Sequence, residues 1–289
     1  MEATTRIEQA LGTAIARAAG PTCPAGLANA ARYAVFPGGA RIRPRLCLAV
    51  AQACAEDQPA VTDAAAAAIE LLHCASLVHD DLPCFDDAPL RRGKPSVHRA
   101  FGERLAVLTG DALIVLAFEA LASAAAAAPA RLTPLVLIVA RSVGMSDGIA
   151  AGQAWECEPS VDLAHYHRAK TGALFAAATM AGATAAGCEG EPWRLLGERL
   201  GEAFQVADDI RDVAASVEEL GKPVGQDEAL GRQSAVRELG LDGAVRRLER
   251  LMAGAVDSMP TCPGSVELRA LILRYGRHFL PEGVVRVAA

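Results

Sequence analysis

The chain has 289 residues, 52% of them hydrophobic but only 4% aromatic, and a formal net charge of −6. That length can bury a sizeable core in one domain, here residues 1–289, and an acidic balance without a basic block excludes nucleic acid as the expected partner. The eight cysteines are scattered without a CxxC pair, which argues against a zinc site or a disulfide framework and for a reducing cytoplasm.

In chain order, residues 3–19 read as an amphipathic helix closed by Gly20-Pro21, and residues 24–35 as a second. The N-terminus lacks a charged region followed by a long apolar one, so no signal peptide is expected. The segment from Phe36 to Pro44 breaks the helix, places arginines at 41, 43 and 45 around its end, and restarts a helix near Pro44. Residues 62–82 form a long helix that Pro83 ends or bends. A loop over 86–95 carries Arg91-Arg92-Gly93-Lys94. Helices are predicted at about 96–101, 104–127, 131–145, 148–157, 162–187 and 191–219, then at 228–239, 241–257 and 264–279. No run reaches the roughly 18–20 uninterrupted apolar residues of a membrane span. The stretch 105–128 comes nearest, and with Asp111 and Glu119 inside it reads as a buried core helix. Alternating β-branched runs are few, so the fold class is all-α without a substantial sheet.

Two acidic clusters carry the chemistry. Asp80, Asp81, Asp86 and Asp87 crowd the end of the apolar run from Ile69 to Val78. Like charges a few ångströms apart repel, so such a cluster persists on a solvated face or around a cation. Gln205, Asp208, Asp209 and Asp212 stand at i, i+3, i+4 and i+7 and form one polar stripe of a helix. Carboxylate oxygens at two helix ends suit a hard cation such as Mg2+, whose octahedron phosphate oxygens can complete. Asp87 and Glu202 read as bystanders.

The stretch HDDLPCFDDAPLRRGKPSVH resembles the first aspartate-rich motif of the trans-isoprenyl diphosphate synthases, and Asp208-Asp209-Ile210-Arg211-Asp212 resembles their second. Gly38 to Pro44 is similar to their GGKRxRP element, Lys170-Thr171-Gly172 to KTG, and Gly221-Lys222-Pro223 to a lysine loop. Five elements in order are specific where a single DDxxD is not. The version here resembles above all the bacterial geranylgeranyl diphosphate synthases of carotenoid pathways.

The resemblance implies an all-α, single-domain helix bundle around a deep central cavity, and a homodimer. It implies that Asp80, Asp81, Asp86, Asp208, Asp209 and Asp212 hold Mg2+. Arg91, Lys170, Thr171 and Lys222 would grip the allylic diphosphate, with Thr171 and Gln205 turning neutral dipoles to the cation that ionisation leaves. Arg43, His73 and Arg92 would hold isopentenyl diphosphate. Arginine suits that role because its planar fork binds phosphate bidentately. One helical turn rises about 5.4 Å, close to one isoprene unit, so the small Ala75 and Ser76 just before Asp80 would leave room for a twenty-carbon tail.

The chain departs from the family pattern in places. Ala40 stands where the family has lysine, with Arg41 and Arg45 near enough in sequence to compensate. Glu156 replaces aspartate in Gly152-Gln153-Ala154-Trp155-Glu156, its longer arm able to reach a metal or its water. Arg232 replaces a later lysine, and Arg211 sits inside the second motif, able to pair with a neighbouring carboxylate. The Gly and Pro of Phe36-Pro37 and of 221–227 fit segments that close over substrate. Beside geranylgeranyl diphosphate synthesis stand farnesyl diphosphate synthesis, a non-catalytic partner subunit and a class I terpene cyclase.

Overall fold

The computed structural model describes residues 2–159, 163–214 and 234–279. Among them the fold is helical apart from one hairpin. The helices are α1 (Ala3–Ala18), α2 (Ala25–Val35), α3 (Ile42–Ala53), α4 (Pro59–Asp80), α5 (Val97–Phe101), α6 (Glu103–Ala124), α7 (Pro129–Val143), α8 (Ile149–Ala154), α9 (Leu163–His167), α10 (Ala173–Ala185), α11 (Arg194–Ala214), α12 (Ala235–Asp257) and α13 (Ser265–Phe279). Antiparallel strands β1 (Leu90–Arg91) and β2 (Lys94–Pro95) lie between α4 and α5. The expected all-α class holds. Lys222, Arg232 and the 221–227 segment lie outside the described residues.

Local chemistry explains the boundaries. Pro59 and Pro129 open α4 and α7 at first-turn positions, where a missing N–H costs nothing. Ser234 caps α12, its hydroxyl accepting from the Arg237 N–H at 3.3 Å. The two helices expected at 228–239 and 241–257 meet at Gly240, whose φ of 69° breaks the helix between them.

At the centre is α10, buried at every position from Leu174 to Ala185. It packs on α3, α4, α7 and α11. Small residues permit these close crossings. A Cβ on Gly197 of α11 would stand 2.4 Å from the Ala176 Cα, and one on Gly182 would stand 2.4 Å from the Cys47 carbonyl oxygen. Larger side chains fill the surrounding layers, among them Leu46, Ile69, Leu72, Phe175 and Leu196.

One expectation needs correcting. The helix within 105–128 is not a buried core helix all round. In α6 Leu113, Leu116 and Leu121 face inward, but Val107, Leu108 and Val115 are exposed. Both α4 and α6 are long and apolar enough to cross a membrane by length and composition. The most apolar window of α4 is 72% buried against other helices, while that of α6 is only 39% buried.

Candidate active site

The first acidic cluster sits where α4 ends. The chain turns back after Leu82, and the Asp86 N–H donates to the Asp80 carbonyl at 3.0 Å, which folds the 80–86 loop onto the helix end. A helix C-terminus carries partial negative charge, so carboxylates gathered there require cations. The hairpin supplies one. Its two-residue turn places Arg92 and Gly93 at φ of 55° and 75°, the left-handed pair that a tight hairpin demands. Arg91 then donates to Asp81 through Nη2 at 2.5 Å and Nε at 3.0 Å, and lies 4.0 Å from Asp80. Burial pushes the Asp81 carboxyl above its ordinary value, and Arg91 pulls it partly back. Asp87 pairs instead with Arg99 of α5 at 2.9 Å.

The hairpin is tied to the end of α2. Lys94 Nζ donates to the Tyr33 and Phe36 carbonyls at 2.6 and 2.8 Å, and the Tyr33 hydroxyl donates to the Pro95 carbonyl at 2.8 Å. Beneath it lies a narrow cleft bordered by Tyr33, Cys74, Leu77, Asp81, Arg91 and Arg92, with a cavity volume of only about 20 Å³. Gly38 is required where it stands, and Gly39 lies close against the Arg92 side chain. A Cβ on Gly38 would fall 2.1 Å from the Arg41 guanidinium carbon, and one on Gly39 would fall 3.1 Å from Arg92 Nε.

Three cationic side chains around this loop take different directions. Arg43 is half-buried, over the rings of Phe175 and Phe204 at 4.6 and 5.6 Å and 3.4 Å from His73 Nε2. Burial lowers its pKa to about 10, which leaves it charged at neutral pH. Burial first, then the positive charges of Arg43 and Arg92, hold His73 well below its ordinary value and so neutral. Arg41 and Arg45 do not compensate for Ala40. Arg41 is in the left-handed region, at φ 52°, and points inward to Glu8 at 2.8 Å and Glu70 at 2.6 Å. Arg45 donates to the Thr4 hydroxyl. Ala40 itself is exposed.

The helix expected over 162–187 is not continuous. Residues Arg168–Gly172 form a π-helical turn, a local widening that re-aims side chains and recurs at functional sites. It turns Lys170 toward Asp80 at 3.6 Å and Glu156 at 2.5 Å, and Thr171 toward Gln205, whose Oε1 accepts the hydroxyl at 3.1 Å. Gln205 Nε2 in turn donates to Asp209 at 3.1 Å. Asp80, Lys170, Thr171, Gln205 and Asp209 thus form a continuous line from one acidic cluster to the other. Asp209 is buried and also accepts from the Ala235 N–H, at the start of α12, at 2.7 Å. Asp212 is buried beside it, and Asp208 lies 3.4 Å from Arg211, the pairing expected of that arginine. Glu202 pairs with Arg247 at 2.9 Å, away from this line.

Three contributors were not singled out as site residues. Gln153 donates to Asp80 at 2.8 Å. The Tyr166 hydroxyl donates to Glu156 at 2.6 Å, so the longer arm of Glu156 reaches Lys170 and Tyr166. Glu70 is buried among the arginines. Its signal was present: a single carboxylate inside an apolar helix must be paired to be tolerated.

The family profile Polyprenyl synthetase matches residues 24–263, a span that holds both acidic clusters and the π-turn. The chain belongs to the polyprenyl synthetase family. It is 59% identical to a geranylgeranyl diphosphate synthase of Cereibacter sphaeroides, over 96% of this chain and 97% of that protein. With a geranylgeranyl diphosphate synthase of Rhodobacter capsulatus it shares 54% identity, over 95% of each. Among solved structures, a Helicobacter pylori geranyltransferase complexed with magnesium and isoprenyl diphosphate superposes with a TM-score of 0.80. That match is 32% identical and covers 94% of this chain and 95% of the other.

Proposed function

We propose that this chain is a magnesium-dependent prenyltransferase that condenses isopentenyl diphosphate head-to-tail with dimethylallyl, geranyl and farnesyl diphosphates to give geranylgeranyl diphosphate. Residues 1–289 act as one catalytic domain, serving carotenoid or other isoprenoid synthesis in the cytoplasm. The observation that carries the reading is the line from Asp80 through the π-turn to Asp209, which joins two carboxylate groups far apart in sequence around one site.

The donor set fits magnesium. Among the described residues no three acidic, histidine or cysteine side chains converge into a closed cage. Carboxylate oxygens are the donors magnesium takes, with water and phosphate oxygens completing its shell. Asp80 and Asp208 keep 18% and 37% of their side chains exposed and Asp86 is exposed, so these three lead the set; the buried Asp81, Asp209 and Asp212 stand behind them. Magnesium, where bound, supplies Lewis-acid stabilisation of the departing diphosphate.

The chain's own groups do the rest. Arg91 and Lys170 add positive charge beside Asp80, and Lys222, outside the described residues, is assigned to the same diphosphate. Arg43, Arg92 and neutral His73 receive the second diphosphate. Thr171 and Gln205 hold each other in place and face the allylic cation with dipoles that do not attack it. The isopentenyl double bond closes on that cation, and the departed diphosphate takes the proton released. Phe36-Pro37 closes over the bound substrates and keeps water from the cation. The tail runs along α4, where Ala75 is fully buried and small and Ser76 lies one turn before Asp80. The exposed apolar residues of α6 form the face through which two copies pair as a homodimer.

The test is turnover of isopentenyl diphosphate with each allylic starter, the products dephosphorylated and sized by chromatography. A twenty-carbon product is expected. A fifteen-carbon stop would establish the farnesyl alternative, and no turnover by a fully helical protein would favour the partner-subunit alternative. Ala75→Tyr is expected to shorten the product, and an unchanged product would remove Ala75 from the tail path.

A further inference from the structure

Glu70 lies in the middle of α4 with a side chain only 2% exposed. Burying a carboxylate is costly unless it is paired, so its partners indicate its purpose. Its Oε1 accepts from Arg41 Nη1 at 2.6 Å and lies 3.9 Å from Arg92 Nη2. Among the charges that favour the ionised form of Arg43, that of Glu70 ranks first, ahead of Asp208. One carboxylate therefore faces the guanidiniums of Arg41, before α3, and Arg92, in the hairpin turn, and its charge also favours the ionised form of Arg43.

The three are not held alike. Arg41 is fixed, with bonds to Glu70, Glu8 and the Val35 carbonyl. Arg92 stays at ion-pair distance, beyond hydrogen-bond length from Glu70, and lies against Gly39. Arg43 Nε is buried with no hydrogen-bond partner among the described residues. A buried donor without an acceptor marks a place where an anion is expected to arrive.

We propose that Glu70 is a positioning residue for the second diphosphate: anchored on Arg41, its carboxylate sets where the guanidiniums of Arg92 and Arg43 stand before the substrate binds. The inference rests on the reading of Arg43, His73 and Arg92 as the isopentenyl diphosphate subsite. A Glu70 that served only to neutralise buried Arg41 would have no bearing on that substrate.

The test separates the two roles. Glu70→Gln alone strips a buried guanidinium of its partner, so the informative variant is Glu70→Gln combined with Arg41→Met, which removes both charges. Arg41→Met alone and Arg92→Ala are the controls. The double variant is expected to raise KM for isopentenyl diphosphate by about tenfold or more, the scale of charge-assisted contacts, with kcat and KM for geranyl diphosphate within about twofold. Arg92→Ala is expected to do the same, and Arg41→Met alone, which keeps the Glu70 carboxylate but removes its anchor, to raise that KM by less than the double variant. If Arg92→Ala raises the isopentenyl diphosphate KM but the double variant does not, Glu70 is structural and this inference falls while the subsite stands. If neither moves it, the subsite reading falls as well. Loss of helical circular dichroism in the double variant, with Arg41→Met folded, would also make Glu70 structural and overturn the inference.

Discussion

Among the described residues, the acidic end of α4 meets cationic and amide side chains, and that of α11 meets the Gln205 amide, a backbone N–H and Arg211. Asp80 and Asp81 face Arg91, Lys170 and Gln153, which arrive from a hairpin, a π-turn and α8. Asp209 is held by the Gln205 amide and by the first N–H of α12, with Arg211 near Asp208. A helix N-terminus offers partial positive charge and backbone donors that a substrate cannot displace, while Arg91 and Lys170 sit on side chains that can turn toward an incoming anion. The α4 side therefore sets its carboxylates beside cations that an incoming phosphate can also engage, and on the α11 side the Gln205 amide and the first N–H of α12 fix Asp209.

The sharpest break of this comparison comes from Gly38→Ala. The new Cβ would occupy the position of the Arg41 guanidinium and drive a buried charge from its partners, at a cost of about 3 kcal/mol or more. Urea unfolding measures it, and an unchanged midpoint would mean that Arg41 is not fixed where it is described. Next, Thr171→Val removes the hydroxyl that joins the π-turn to Gln205 and is expected to lower kcat about tenfold with little change in Tm. A loss confined to stability would show that this link holds α11 rather than the chemistry.

The third concerns acid. His73 is neutral in the fold because its pKa is depressed, while an unfolded histidine titrates near 6.5. Its contribution is present above about pH 6.5 and lost as the pH falls from there toward the folded value, by at most about 1.4 kcal/mol per pH unit. Melting temperature from pH 7.5 to 5.5 should fall more steeply in wild type than in His73→Asn, and parallel curves would place the acid sensitivity elsewhere. The smallest effect is expected from Glu156→Asp. The shorter arm cannot reach both Lys170 and Tyr166, and turnover should drop about threefold, the scale of one weakened hydrogen bond. A gain in rate would mean that the Lys170–Glu156 pair restrains the lysine.

The helices and both acidic clusters were legible because they rest on periodicity and spacing. Asp208, Asp209, Asp212 and Gln205 do share α11, with Gln205 bonded to Asp209 as the i, i+4 spacing requires. What escaped depends on backbone torsions or on partners distant in sequence. Residues Arg168–Gly172 read as ordinary helix, since a π-turn leaves no compositional mark. Arg41 and Arg45 look equivalent beside Ala40, but the left-handed torsion at Arg41 turns it inward to Glu8 and Glu70. Glu70 could have been found as the one charge between Ile69 and Leu71, although nothing local names its partners. The exposed side of α6 was missed because an apolar helix looks the same in sequence whether neighbouring helices cover it or not.

The central claim is that the two carboxylate walls act as one site. Its most direct measurement is kcat/KM for Asp80→Asn, Asp208→Asn and the double variant under saturating magnesium. Groups that act as a unit are strongly non-additive, so the account predicts losses of about a thousandfold for each single variant and little further loss for the double. Losses that simply multiply in the double variant would contradict it.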